Sequence, residues 1–399
     1  MSSAIELAER YGAHNYHPLD MVVARAEGIW LWDEEGNRYL DFLSAYSAVN
    51  QGHRHPDIVA ALVAQAGRVT LTSRAFHNDR LGPFLAQLCE LTGFEQALPM
   101  NTGAEAVETA IKAARKWGYT RKGVALDQAE IIVCADNFHG RTTTIVGFST
   151  EEQYRDGFGP FTPGFRVVPF GDAVALRAAF TPNTVAVLAE PIQGEAGIHV
   201  PPSGWLAEAR ACCDEHGALL ILDEIQTGLG RTGKLFAFEH EGVRPDAVTI
   251  GKALGGGVYP VSAFLASREV MGVFSPGDHG STFGGNPLGA AVAMASLDVI
   301  VRERLAERAA ELGEWFIGEL KALNSPHVLE VRGRGLLIGV EVRSSSGPAR
   351  PFCEALKQRG LLCKETHGQV IRLAPPLVVT REELASALPH LAAVLGGAF

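Results

Sequence analysis

Between about Ile58 and Val270, short apolar runs ending next to acidic residues alternate with alanine-rich stretches of helical period. Ile131-Ile132-Val133-Cys134 precedes Asp136, Thr184 to Leu188 precedes Glu190-Pro191, and Leu219 to Leu222 precedes Asp223. Apolar runs this short, without polar alternation, are the pattern of strands buried on both faces. Glu105 to Trp117 and Gly204 to His216 read as the helices between them. The alternation predicts an α/β unit, a mostly parallel sheet with helices on both faces. Ligands on such sheets gather beyond the carboxyl ends of the strands, where Asp223 and Glu190 both fall.

After about Leu288 the pattern changes. Pro287 to Leu320 reads as one or two long helices. Strand-like Gly335 to Val342 and Gln369 to Ala374 follow, then a helix from Thr380. We expect three parts: an amino-terminal segment (1–57) packing with the small domain, a large domain (58–287) and a small α+β domain (288–399). Within the first, Trp30 to Phe42 reads as a hairpin turning at Gly36-Asn37.

Composition narrows the class. The chain has 399 residues, 47% hydrophobic and 20% charged, which is a folded domain's balance and leaves room for more than one core. The net charge is −10 with dispersed Lys and Arg, so nucleic acid and anionic membrane surfaces are not expected partners. No apolar run reaches membrane-spanning length, and Met1 to Glu6 lacks signal or presequence character. Six cysteines without Cys-x-x-Cys spacing fit a reduced compartment, and the expectation is a cytoplasmic protein. His53 and His55 have no third ligand nearby in sequence, so no metal site is expected.

Two residues suggest chemistry. Lys252 follows the apolar run Ala247 to Ile250 and stands just before Gly255-Gly256-Gly257, which places an amine between a strand end and an open loop. Asp223 closes another strand. A lysine able to form a Schiff base and an aspartate able to pair with a pyridinium nitrogen are what pyridoxal phosphate chemistry needs from a protein. A solvated loop lysine and a helix-capping aspartate are the bland alternatives. Gly228-Leu229-Gly230-Arg231-Thr232-Gly233-Lys234 imitates nucleotide-binding loops, and a nucleotide-binding protein is the reading from another class. It is disfavoured: Leu235 stands where a Mg²⁺-ligating hydroxyl belongs, and five residues separate the strand from the first glycine.

Taken together, Asp223-Glu224-Ile225-Gln226-Thr227-Gly228 and Gly280-Ser281-Thr282-Phe283-Gly284-Gly285-Asn286-Pro287 resemble the class III (ω-) aminotransferases of the fold type I pyridoxal phosphate enzymes. The segments Tyr11 to Pro18, Tyr46 to His53 and Pro191 to Gly197 are similar to substrate-side segments of ornithine aminotransferases within that class. The resemblance runs from Tyr11 to about Val379 and implies a seven-stranded, mostly parallel sheet, pyridoxal 5′-phosphate as cofactor and a homodimer with shared active sites. It also implies residue roles. Lys252 carries the cofactor and moves the proton, and Asp223 keeps the ring nitrogen protonated. Gln226 contacts the ring hydroxyl, Phe138 stacks on the ring, and Ile225 joins the cofactor set. Gly103 and Ala104 open a helix that holds the phosphate, and Thr282 reaches the phosphate from the neighbouring subunit.

For substrates the resemblance implies L-ornithine and 2-oxoglutarate, converted to glutamate 5-semialdehyde and glutamate. Arg372 receives the α-carboxylate of 2-oxoglutarate, and Glu195 covers it while ornithine reacts. Arg141 holds the distal carboxylate, Tyr16 hydrogen-bonds the α-amine of ornithine, and Tyr46 and Ser281 complete the pocket. Acetylornithine, lysine and 4-aminobutyrate aminotransferases of the same class are the alternatives. Acetylornithine has no charged α-amine for Tyr16 to receive. His139 departs from the bulkier aromatic usual in ornithine aminotransferases and is expected to alter ring stacking or the pH profile.

Overall fold

The computed structural model describes residues 3–397. Its centre is a seven-stranded sheet in the order Gln96–Met100, Ser262–Ala266, Ala247–Ile250, Leu219–Asp223, Thr184–Ala189, Glu130–Cys134, Phe165–Val168. Ser262–Ala266 runs antiparallel to both neighbours, and the remaining pairs are parallel. Both faces are covered, which is why the strands are uniformly apolar. Leu220 and Leu222 enter one hydrophobic core while Leu219 and Ile221 enter another on the opposite face.

A second, four-stranded antiparallel sheet is built from Val328–Arg334, Leu337–Val342, Val370–Leu373 and Lys364–Thr366. The amino-terminal hairpin turns at Gly36, and its inner strand Arg38–Asp41 pairs in parallel with Leu361–Leu362, far along the chain. No helix of the described residues is long and apolar enough to cross a membrane.

The glycine run at 228–233 lies where these parts meet. Arg231 is fully buried, and its guanidinium donates to the carbonyls of Leu336 (2.9 Å) and Pro375 (2.7 Å) and to Asn50 Oδ1. Burial pushes its pKa down to about 9, so the group is still charged at neutral pH. Backbones come very close here: a Cβ on Gly335 would lie 2.5 Å from the Thr232 carbonyl carbon. The glycines serve backbone contact between distant segments, and the imitation of a nucleotide loop has a packing cause.

A turn that sequence reasoning did not foresee lies beside Arg372. Ser44, Ala45, Tyr46 and Ser47 all have positive φ (50°, 45°, 61°, 72°), forming one left-handed turn without a glycine. Such a conformation costs roughly 1–2 kcal/mol per residue. Its fixing points are the Asp41 carboxylate, which accepts from the amides of Leu43 and Ser44, and the Ser44 hydroxyl, which donates to Ala374 O. Strain of this kind persists where the surroundings over-determine it, and here it presents Tyr46 to Arg372.

Candidate active site

One cavity at the carboxyl ends of the parallel strands gathers Gly103, Ala104, Phe138, Glu190, Glu195, Asp223, Ile225, Gln226 and Lys252, with His139. They arrive from the ends of five strands, Gln96–Met100, Glu130–Cys134, Thr184–Ala189, Leu219–Asp223 and Ala247–Ile250, or from the segments that follow them. Lys252 follows the strand Ala247–Ile250 by one extended glycine and takes a left-handed φ of 44°. Burial lowers its pKa, and Arg372 adds to that effect while Glu195, Asp223 and Glu190 oppose it. A neutral amine, able to act as nucleophile or base, is thereby brought closer to physiological pH.

Asp223 is buried, and its Oδ2 lies 2.6 Å from His139 Nδ1 while its Oδ1 accepts from the Ile225 amide. Burial opposes protonation of His139, but the hydrogen bond and charge of Asp223 outweigh it and the pKa rises. His139 is therefore a partner of the aspartate. Glu190 accepts from the Phe138 amide, and burial pushes its pKa up to about 7, with His139 acting the other way. Because the folded-state value exceeds the unfolded one, stability falls as pH rises from about 4.5 to 7 and the penalty persists above. A Glu190→Gln variant should therefore gain thermal midpoint relative to the unaltered protein on moving from pH 5 to pH 8. A constant gap between the two would contradict that assignment.

At the outer end Glu195 holds Arg372 with two contacts, Nη1 to Oε1 at 2.8 Å and Nη2 to Oε2 at 2.9 Å. Gln226 Nε2 donates to Glu195 Oε1 at 2.9 Å. Burial would raise the Glu195 pKa, but Arg372 holds it down at about 2, so the pair stays ionised throughout the neutral range. Tyr46 lies under the guanidinium, 5.0 Å from its ring centroid. Gly194 admits Gln226 to this position: a Cβ there would sit 1.5 Å from Gln226 Oε1. Arg141, by contrast, makes no hydrogen bond or ion pair among the described residues, and its guanidinium rests 4.1 Å from the Tyr154 ring centroid. Tyr16 is 74% exposed on the amino-terminal segment and bears electrostatically on Tyr46. Thr282 is exposed, and Ser281 accepts from Asn101 Nδ2 at 2.7 Å; neither lines the cavity of its own chain.

The family model described as Aminotransferase class-III matches residues 11–395. The chain belongs to the class III aminotransferases. An ornithine aminotransferase of Geobacillus sp. (strain WCH70) is 60% identical over 393 residues, 98% of each chain. The crystal structure of the ornithine aminotransferase of Toxoplasma gondii ME49 superposes with a TM-score of 0.97 at 45% identity, covering 98% of this chain and 94% of that one. An acetylornithine aminotransferase of Elizabethkingia anophelis is also similar, with a TM-score of 0.89 and 50% identity over 98% of this chain and 97% of that one.

A class III aminotransferase works with pyridoxal 5′-phosphate, whose protonated ring withdraws electrons from the bond broken at the reacting carbon. The residues of this cavity fit that group. The amides of Asn101 and Thr102 are taken by Glu105, whereas those of Gly103 and Ala104, in the first turn of the helix Gly103–Trp117, carry no hydrogen bond among the described residues. Two free amides at a helix start suit a phosphate. Gly103 has no room for a side chain, since a Cβ would lie 2.9 Å from Ile225 Cδ1. Gln226 Oε1 is buried without a partner and can accept from a ring hydroxyl. The Asp223 carboxylate suits a protonated ring nitrogen, and Lys252 supplies the amine. Two features were not legible as site residues in the sequence: the pairing of His139 with Asp223, and Tyr154, whose ring meets both Phe138 and Arg141.

Proposed function

We propose that this class III aminotransferase moves the δ-amino group of L-ornithine to 2-oxoglutarate, giving glutamate 5-semialdehyde and glutamate. The observation that carries this reading is the Glu195–Arg372 pair closed beside Tyr46 while Arg141 is left uncommitted. Ornithine reacting at its δ-amine has no carboxylate near the reacting carbon. A lone Arg372 would then be a buried charge without a partner, at a cost of several kcal/mol. Glu195 supplies that partner. The distal α-carboxylate of ornithine would bind Arg141, whose planar fork matches a carboxylate by two contacts. Tyr16 would accept a hydrogen bond from the ornithine α-amine. In the second half-reaction Glu195 leaves Arg372 free for the α-carboxylate of 2-oxoglutarate, and Arg141 takes the γ-carboxylate.

In this reading Lys252 Nζ would take the proton from the δ-carbon of ornithine, and Asp223, with His139 behind it, would hold positive charge at the ring nitrogen of the cofactor. Ser281 and Thr282, outside their own chain's cavity, are offered to a second copy, so the working form is a homodimer. We place the enzyme in the cytoplasm.

Purified protein incubated with L-ornithine and 2-oxoglutarate should yield pyrroline-5-carboxylate, trapped with o-aminobenzaldehyde, and N-acetylornithine should give little glutamate. The reverse preference would move the protein to the acetylornithine branch. A Glu195→Ala variant should shift preference from ornithine toward glutamate as amino donor by about 10-fold or more, one unpaired charge contact being worth at least 1.4 kcal/mol. An unchanged ratio of the two kcat/KM values would remove the switch from the mechanism.

A further inference from the structure

Arg141 is an exposed arginine that nothing but aromatic faces holds. Its guanidinium carbon lies 4.1 Å from the centroid of Tyr154 and 5.8 Å from that of Phe138. The two rings in turn meet edge to face, with centroids 6.0 Å apart and planes at 77°. Tyr154 belongs to the one-turn helix Glu152–Arg155, which packs on the short helix Thr143–Gly147 that follows Arg141. Burial raises the pKa of its hydroxyl, Glu195 and Glu151 add to that effect, and Arg141 and Arg372 oppose it.

We propose that Tyr154 is a positioning residue that sets the preference for substrates with a distal carboxylate by holding Arg141 in place. This rests on the ornithine reading, in which Arg141 receives that carboxylate. A long unpaired side chain has many rotamers, and each binding event must select one. The Tyr154 face selects it beforehand, since an arginine over an aromatic ring is attracted by the ring's quadrupole and stacks flat on it. The exposed edge of the guanidinium keeps its N–H groups available. Because Tyr154 also abuts Phe138, the clamp is set at a fixed distance from the ring that Phe138 would support, and so from the reacting carbon. A substrate with its carboxylate at the matching distance benefits. One without that carboxylate gains nothing.

The test uses the holoenzyme and two variants, Tyr154→Leu, which removes the ring, and Tyr154→Phe, which keeps it. Steady-state constants are measured for 2-oxoglutarate against pyruvate as acceptors and for ornithine against 1,4-diaminobutane as donors. Calorimetry with glutarate, an unreactive dicarboxylate, gives binding without turnover. Tyr154→Leu should raise KM for 2-oxoglutarate and ornithine, and Kd for glutarate, by about 2- to 5-fold, the range of a cation–ring contact at an exposed site. It should leave kcat and both constants for pyruvate and 1,4-diaminobutane unchanged, and Tyr154→Phe should restore the unaltered values. An equal loss on all four substrates, or no loss on any, would overturn the proposal, as would a Tyr154→Phe variant as impaired as Tyr154→Leu. The unaltered enzyme separates the two levels of argument. If it shows no preference for ornithine over 1,4-diaminobutane, the ornithine reading fails and takes this proposal with it. If it does, and Tyr154→Leu keeps that preference, the role of Tyr154 alone fails.

Discussion

Lys252→Ala should leave a folded protein with no measurable transamination. The substitution removes both the amine that would attach the cofactor and the base placed to move the substrate proton. General acid–base catalysis alone contributes about 10²–10⁴-fold, and loss of covalent attachment adds to it. Folding should survive, because Lys252 donates no hydrogen bond among the described residues and its burial as a charge is unfavourable. The left-handed φ of 44° is tolerated no worse by alanine than by lysine. The measurements are turnover of ornithine and the thermal midpoint. Turnover above about a hundredth of the unaltered rate would exclude Lys252 from the proton transfer.

Asp223→Asn is the second large effect. An amide of the same shape keeps a partner for His139 Nδ1, 2.6 Å away, and for the Ile225 amide at 3.1 Å, but carries no charge. The ring nitrogen would lose the anion that keeps it protonated. Removing one preorganised electrostatic contact in a buried site costs about 10²–10³ in kcat, and we expect a loss of that size with KM for 2-oxoglutarate little changed. His139 should also lose the charge that raises its pKa, so proton-resonance titration of its imidazole should move toward lower pH in the variant. A variant with normal kcat would show that the carboxylate is structural.

The large sheet and the inner half of the site were legible because they follow from strand ends. A buried apolar run that stops at Asp223 or Glu190, or one residue before Lys252's neighbour Gly251, puts those residues on the rim where ligands collect. The antiparallel strand Ser262–Ala266 was not distinguishable, because burial on both faces gives the same composition whichever way a strand runs. The outer half was less legible. Nothing in Ser44-Ala45-Tyr46-Ser47 announces four left-handed residues, since the usual marker, glycine, is missing and the cause lies in Asp41 and Ala374. Tyr154 sits in the polar stretch Glu151-Glu152-Gln153-Tyr154-Arg155-Asp156, where an aromatic has no period to join. The reason for the glycines around Arg231 was also out of reach, since Gly230 closes on Ala306 and Leu377, Gly233 on Ala310, and Gly335 on the backbone of Arg231 and Thr232, all far along the chain.

Those long separations bear on the order in which the site is completed during synthesis. The left-handed turn around Tyr46 is tied to Ala374, the neighbouring Leu377 amide donates to Asn50 O, and Arg231 waits for Pro375. A chain emerging from the ribosome can assemble Asp223, Lys252 and the amides of Gly103 and Ala104 once the strand Ser262–Ala266 is out. It cannot set Tyr46 or supply Arg372 until the strand Val370–Leu373 and Ala374 have followed, more than a hundred positions later. The half of the site around Lys252 is thus available to a nascent chain well before the half around Arg372.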